Sequence, residues 1–414
     1  MNPADTLAQP LTLANGTVIK NRIAKSAMSE ALGTTDNRVT ERLPTLYDAW
    51  AKGGVGLLIT GNVMVDRRAL GEPNNVALED ERDLPLLQEW ARRGTANGTQ
   101  LWMQLNHPGK QSPKLVSKAQ PVAPSAIPLA PKFKSYFNDP RELSDADIRD
   151  IIQRFATAAR IAQKAGFTGV QIHGAHGYLV SQFLSPLHNQ RKDQWGGSIE
   201  NRARFVLEIL YAIRNETGAD FPVSIKMNSA DFQRGGFTED ESMIVAEMLA
   251  DAGIDLIEIS GGTYETPTMT GKDVKDSTKA REAYFLEYAE QIRARVNTPL
   301  MVTGGFRTAT GMAEAIASGA TDLIGMARPL AVFPNLPNDL LQGRLERCDI
   351  KPRNTGIKLV DDMAMMELAW YAQQMERIAH GKPPKPNRHP LVGLLQYAYT
   401  SALRGFKTQR LRAG

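Results

Sequence analysis

The sequence contains a single cysteine, Cys348, among its 414 residues. One cysteine excludes an intramolecular disulfide and any zinc or iron–sulfur site held by several thiolates of this chain. No stretch reaches the ~18 uncharged apolar residues that a membrane-spanning helix needs. The first ten residues, MNPADTLAQP, lack the basic start and the apolar segment of a secretory signal. We therefore expect a cytoplasmic protein that does not enter a membrane.

The charged residues are nearly balanced over the whole chain, with a net charge of +4, but they are unevenly distributed. Residues 344–414 carry 13 Lys and Arg against 6 Asp and Glu, so the preceding part of the chain is slightly acidic. The positive charge therefore lies in a C-terminal segment and not on a basic binding face. We expect no nucleic-acid partner.

Short apolar runs alternate with amphipathic segments, a pattern typical of parallel strands joined by crossover helices. Strands are predicted at residues 22–27, 55–61, 100–106, 169–174, 222–228, 254–260, 299–305 and 322–328. Helices between them are predicted at residues 147–165, 199–217, 238–252 and 308–318. Eight such units favour a closed (β/α)8 TIM barrel of the α/β class. An open doubly wound sheet fits the sequence less well, because such a sheet should have a glycine-rich fingerprint after its first strand and none is present here.

The barrel is predicted to occupy residues 1–343, beginning with a β-hairpin at residues 11–20 that closes its lower end around Asn15-Gly16. Residues 107–144 contain seven prolines and no sustained periodicity. This segment is either a lid, in which Phe133, Tyr136 and Phe137 cover an apolar substrate, or a passive surface loop. Residues 344–414 are predicted as a helical, basic extension. Its helix at residues 361–380 would pack on the barrel or on a second subunit of a homo-oligomer.

The predicted strands end in polar residues, at the face of a barrel where active sites are built. The last two strands end in TGGF, with Gly304 and Gly305, and in GMARPL, with Ala327 and Arg328. Glycine backbones and a guanidinium suit a phosphate group, although the same residues also serve tight turns and salt bridges. A phosphate site alone does not distinguish a phosphosugar from a flavin mononucleotide.

The fourth strand leads into HGAHGYLVSQFLSPLHNQRKDQWGGSIENRARF, residues 173–205. His173 and His176 lack a third ligand at a suitable spacing, so we predict no metal site. Two imidazoles can instead donate hydrogen bonds to a substrate oxygen on which negative charge develops. Tyr178 carries a phenol with an ordinary pKa near 10, suited to giving a proton to a carbon. The alternative is that these histidines and the tyrosine are partly buried packing residues without a catalytic role.

These segments resemble the old yellow enzyme family of FMN-dependent NAD(P)H oxidoreductases. The resemblance covers residues 5–345 and includes SAMSEA at residues 26–31, QLNHPGKQ at residues 104–111 and SIKMN at residues 224–228. Its most specific part is GGSIENR, residues 196–202, following H-x-x-H-x-Y. The two phosphate elements complete the match.

The resemblance implies non-covalently bound FMN, with NAD(P)H as reductant. The ring would lie along Ala27, Met28, Ser29 and Gly61, with Gln104 at its polar edge and Lys226 near N1 and the C2 carbonyl. The phosphate would be held by Gly304, Gly305, Ala327 and Arg328. Ser29 stands where family members often have Thr or Cys, and Ala327 stands where glycine commonly precedes the arginine.

The resemblance also implies a ping-pong ene-reductase. NAD(P)H would give hydride to N5 of FMN, and an α,β-unsaturated carbonyl compound would then accept it at the β-carbon. His173 and His176 would bind the carbonyl oxygen, and Tyr178 would protonate the α-carbon. The residues alone leave two other hypotheses open: a barrel isomerase or aldolase with a phosphate site, and a non-catalytic barrel whose basic tail binds a partner.

Overall fold

The computed structural model describes residues 2–117, 119–263, 285–350 and 365–393, together with residues 395, 399, 402 and 403. Parallel strands in this part of the chain close into a barrel: β1 (Ile23–Lys25), β2 (Leu57–Ile59), β3 (Gln100–Asn106), β4 (Gly169–Gly174), β5 (Val223–Asn228), β6 (Leu256–Ser260), β7 (Leu300–Thr303) and β8 (Leu323–Met326). Each strand pairs with the next, and β8 pairs with β1. The predicted TIM barrel is confirmed.

Helices surround the barrel and connect successive strands. The longer ones are Arg42–Lys52, Leu84–Gly94, Asp145–Ala165, Ile199–Thr217, Glu239–Asp251, Leu286–Arg293 and Ala309–Ala317. Shorter helices are Pro3–Ala8, Leu179–Leu184, Arg328–Val332 and Leu336–Leu341. The helix predicted from residue 147 begins two residues earlier, because Ser144 and Asp147 form reciprocal capping hydrogen bonds. It ends at Ala165, as predicted, and Gly166 follows with a left-handed φ of 92°.

The lower end of the barrel, where the strands begin, is apolar and closed by the predicted hairpin. Leu11–Thr12 pairs antiparallel with Val18–Ile19, and Gly16 has a φ of 84° at the turn. Hairpin residues share one apolar cluster with inward-facing strand residues: Leu11, Leu13, Ile19, Leu57, Trp102, Leu256, Met301 and Leu323. The opposite end, where the strands finish, is called the upper mouth below.

The connection after β3, residues 107–144, is folded against the upper mouth at its beginning. Gln111 Nε2 donates to the backbone oxygen of His176 at 3.0 Å. Farther along, strand Val122–Ala123 pairs with Arg141–Glu142. The rings of Phe133 and Phe137 lie edge to face, with centroids 6.3 Å apart, whereas Tyr136 is 65% exposed. Contact between these aromatic residues and a substrate stays a prediction.

Helix Met365–Ala379 packs against the barrel side at Arg42–Lys52 and Arg328–Val332. Trp370 and Met375 are buried in the main hydrophobic core. The helix was predicted to pack on the barrel or on a second subunit, and in the structure Trp370 and Met375 pack on the barrel of their own chain. Residues 361–364 of the predicted helix lie outside the described residues. Among the helices that the structure describes, none combines the length and hydropathy needed to cross a membrane.

Candidate active site

The structure brings His173, His176 and Tyr178 together at the upper mouth. His173 is on β4, His176 follows in the loop, and Tyr178 precedes helix Leu179–Leu184. The His173 ring centroid lies 5.1 Å from that of His176 and 4.8 Å from that of Tyr178, both edge to face. His173 and Tyr178 are buried, and His176 is partly exposed. The predicted trio therefore forms one cluster.

The backbone around His176 is held in an unusual conformation. His176 has a φ of 63°, in the left-handed region that non-glycine residues seldom adopt. Its N–H donates to Asn228 Oδ1 at 3.2 Å, and its carbonyl accepts from Gln111. Gly177 follows with a φ of 76°, and a Cβ there would lie 2.7 Å from Gln111 Oε1. Such locally strained backbone is concentrated at functional sites.

Hydrogen bonds and burial define the protonation of the two imidazoles. The Ala175 N–H donates to His173 Nδ1 at 3.3 Å, so a neutral His173 carries its proton on Nε2. His176 Nε2 is hydrogen-bonded to Ser260 Oγ at 2.8 Å. Burial lowers the pKa of His173 well below its ordinary value, aided by His176 and Lys226. Burial and Lys226 lower the pKa of His176 to about 3. Both rings are neutral near pH 7.

Acidification should destabilise the fold, because the folded chain holds four histidines in the neutral state, three of them buried and His176 partly exposed. Burial is the main cause that lowers the pKa of His107 to about 4, of His176 and His188 to about 3, and of His173 well below its ordinary value. The unfolded chain protonates these groups near pH 6.5, so their contribution is complete above pH 6.5 and is lost as pH falls. Between pH 6.5 and the lowered pKa of each group, each histidine reduces the free energy of unfolding by up to about 1.4 kcal/mol per pH unit.

We therefore expect a clear drop in the melting temperature between pH 7.5 and pH 5.5, measured by circular dichroism. Replacing both His173 and His176 by Asn should make the acid-induced drop smaller, since two of the four groups are removed. A melting temperature that stays constant or rises on acidification would contradict this assignment.

Polar side chains from six strands or strand ends form a continuous hydrogen-bonded belt inside the upper barrel. Gln104 Nε2 donates to Gln171 Oε1 at 2.8 Å, and Gln171 Nε2 donates to Glu258 Oε2 at 2.9 Å. Glu258 Oε1 pairs with Lys226 Nζ at 2.9 Å and accepts from Thr303 Oγ1 at 2.7 Å. Ser26 Oγ lies 2.7 Å from Thr303 Oγ1. The polar belt thus comprises these residues: Ser26, Gln104, Gln171, Lys226, Glu258 and Thr303.

The segment after β1 meets the end of β2. The Gly61 N–H donates to Glu30 Oε1 at 2.9 Å, and a Cβ at Gly61 would collide with the Glu30 carboxylate and the Met28 carbonyl. The Ser29 hydroxyl donates to Glu72, whose pKa is raised by burial. Ala27, Met28 and Ser29 are partly exposed. Close approach of the two strand ends therefore requires glycine at position 61.

The proposed phosphate residues also lie together at the ends of neighbouring strands. Gly304 and Gly305, with φ values of 104° and 96°, follow β7 directly. Ala327 follows β8 and precedes helix Arg328–Val332. Thr303 of β7 pairs in register with Gly325 of β8, which brings the two loops side by side. Backbone N–H groups of two glycines, together with an arginine on the neighbouring loop, are donors of the kind that suit a phosphate.

Several residues that organise this site were given no role from the sequence: Gln111, Gln171, Asn228, Glu258 and Ser260. Asn228 and Ser260 were among the polar strand ends, whereas Gln171 and Glu258 lie inside strands. Gln171 and Glu258 lie two positions before His173 and Ser260, so alternation along the strands places them on the same inward face. Counting back two residues along a strand from its polar end gives the next side chain on the inward face. This alternation is a signal that could have identified Gln171 and Glu258.

Comparison with known proteins shows the family of this chain. A model of the NADH:flavin oxidoreductase / NADH oxidase family matches residues 6–347. The chain belongs to this family. It is 40% identical over 353 residues to an NADH-dependent flavin oxidoreductase of Hypocrea jecorina (strain QM6a), a match that covers 80% of this chain and 88% of that protein. This member of the NADH:flavin oxidoreductase family is thus an oxidoreductase that uses FMN and a nicotinamide nucleotide, as predicted.

Two solved structures similar to this family member support the old yellow enzyme relationship. The old yellow enzyme homologue from Zymomonas mobilis has a TM-score of 0.70 and 25% identity, and the match covers 83% of this chain and 94% of that one. Morphinone reductase in complex with tetrahydroNAD has a TM-score of 0.69 and 26% identity, with coverage of 84% and 93%. The predicted family and barrel are confirmed.

Proposed function

We propose that the protein reduces the activated C=C bond of α,β-unsaturated carbonyl compounds with NAD(P)H as the hydride source. The observation that carries this proposal is the cluster of two neutral imidazoles and one phenol, His173, His176 and Tyr178, at the upper mouth. When bound, FMN supplies the redox chemistry that relays a hydride from the nicotinamide to a substrate carbon.

The residues near the polar belt have the chemistry needed to hold FMN. Gln104 offers an amide that can donate and accept, and Lys226 offers a buried ammonium for the electron-rich edge of the ring. Gly61 and the segment after β1 would line the ring. The full proposed set is Ala27, Met28, Ser29, Gly61, Gln104 and Lys226 for the ring, and Gly304, Gly305, Ala327 and Arg328 for the phosphate.

The imidazoles are proposed to bind the carbonyl oxygen of the substrate. Nε2–H of His173 is a hydrogen-bond donor, and the neutral His176 presents its ring beside it. Donors aimed at this oxygen stabilise the negative charge that builds up when hydride reaches the β-carbon. Because His173 and His176 remain neutral far below pH 7, they polarise the oxygen without supplying the proton.

Tyr178 is proposed to supply that proton to the α-carbon. Its ring packs edge to face against that of His173, with the two ring centroids 4.8 Å apart, so Tyr178 belongs to the same cluster as the oxygen-binding imidazoles. The overall reaction balances as one hydride from NAD(P)H and one proton added across the C=C bond. The similar morphinone reductase is named for the reduction of a ketone, which supports a carbonyl compound as the substrate class.

Isotope labelling under anaerobic conditions tests this function. The purified holoenzyme, NADH and 2-cyclohexen-1-one in D2O should give cyclohexanone with one deuterium at the α-carbon. NADH deuterated on the transferred position, in H2O, should instead label the β-carbon. Mass spectrometry and NMR of the product locate the label, and cyclohexanone replaces the enone as the control acceptor. NADH consumption that is equal with both acceptors, or deuterium from labelled NADH at the α-carbon, would reject the proposal.

A further inference from the structure

We propose that Glu258 is a positioning residue that fixes Lys226 and offsets its charge, and so keeps the reduction potential of bound FMN lower than Lys226 alone would make it. The inference rests on the proposed placement of Lys226 beside the flavin. It concerns a carboxylate that the proposed chemistry of His173, His176 and Tyr178 does not use.

The pair is formed by the barrel register. Lys226 of β5 lies directly opposite Glu258 of β6, and their side chains meet at 2.9 Å inside the barrel. Their exposed side-chain fractions are 5% and 0%. Water screens such a pair poorly, so each charge acts strongly on its surroundings. The same strand register places His173 on the other side of Lys226.

Glu258 is also anchored by groups other than Lys226. Its Oε1 accepts from Thr303 Oγ1, and its Oε2 accepts from Gln171 Nε2. An ionised carboxylate only accepts hydrogen bonds, so Gln171 must turn its amide nitrogen to Glu258 and its carbonyl to Gln104. Glu258 therefore holds the lysine ammonium in place and orients the amides that lead to Gln104.

The charge of this pair bears on the cofactor through simple electrostatics. Reduction of a flavin adds electron density near N1 and the C2 carbonyl, and a neighbouring cation stabilises the reduced form. A carboxylate bound to that cation reduces its net effect. Removing the negative charge while keeping the side-chain shape should therefore favour reduced over oxidised FMN.

Glu258→Gln tests the effect, and Asp255→Asn is a matched control. Asp255 precedes the same strand at the lower end of the barrel, where it pairs with Arg214 at 2.6 Å and accepts from the Val223 N–H. Both variants replace a buried, paired carboxylate by its amide. Only Glu258 belongs to the polar belt, whereas both substitutions can lower the melting temperature.

The midpoint potential of bound FMN is measured by anaerobic titration with reference dyes, without any enone. Glu258→Gln should increase the affinity for reduced relative to oxidised FMN about tenfold, a rise of about 30 mV for a two-electron couple. Asp255→Asn should leave the potential unchanged. An unchanged or lower potential in Glu258→Gln, or an equal rise in both variants, would overturn the proposal.

A second comparison decides the question if Glu258→Gln alone fails to retain FMN. Lys226→Met should lower the potential, because it leaves the negative charge without its partner. Adding Glu258→Gln to Lys226→Met should return the potential toward that of the wild type, whereas equal potentials for the single and double variants would overturn the proposal. Since no substrate is present, a failure of enone reduction would not affect this result.

Discussion

Tyr178→Phe should slow the reduction of 2-cyclohexen-1-one by the prereduced enzyme by about 100-fold or more, the usual contribution of a positioned general acid. The substitution removes the phenolic proton and keeps the ring that packs against His173. Hydride transfer from NADH to the oxidised enzyme needs no proton on a substrate carbon, so this half-reaction should stay near the wild-type rate. Anaerobic stopped-flow absorbance resolves the two half-reactions.

Tyr288→Phe is the matched control for this experiment. Tyr288 is also a buried tyrosine, but its hydroxyl donates to Ser242 at 2.5 Å between the helices outside the barrel. Its removal should leave both half-reactions unchanged. If Tyr178→Phe slows both half-reactions equally, the phenol serves general structure or binding, and its role as proton donor would be rejected.

The barrel could be predicted from sequence because its strands are buried on both faces and appear as short apolar runs. The predicted bounds of β3, β4 and helix Ile199–Thr217 agree with the structure. The runs predicted for β1 and β7 extend beyond the observed strands, Ile23–Lys25 and Leu300–Thr303. The last residues of these two predicted runs belong to the loops of the upper mouth. The hydrophobic pattern alone does not show where the strand ends and the loop begins.

The site was only partly accessible to the same reasoning. His173, His176 and Tyr178 lie within six consecutive residues, so one segment of sequence already indicates a cluster. Gln171 and Glu258 are 87 residues apart and meet only through barrel closure. A glutamate within an apolar strand does not reveal its partner until the register between β5 and β6 is known. The pairing with Lys226 therefore required the structure.

Replacing both His173 and His176 by Ala should weaken the binding of p-hydroxybenzaldehyde by about 100-fold. The substitutions remove two hydrogen bonds to the phenolic oxygen of this ligand. Each hydrogen bond contributes about 1.4 kcal/mol, or about tenfold in affinity. Isothermal titration calorimetry of the FMN-loaded protein measures this loss directly.

The corresponding double Asn variant is the sharper comparison, because an amide keeps an N–H donor while removing the imidazole. It should recover part of the affinity that the Ala variant loses, provided that both variants retain FMN to the same extent. Equal weakening in both variants would mean that ring shape rather than hydrogen bonding holds the ligand. Unchanged affinity in the Ala variant would remove the oxygen-binding role altogether.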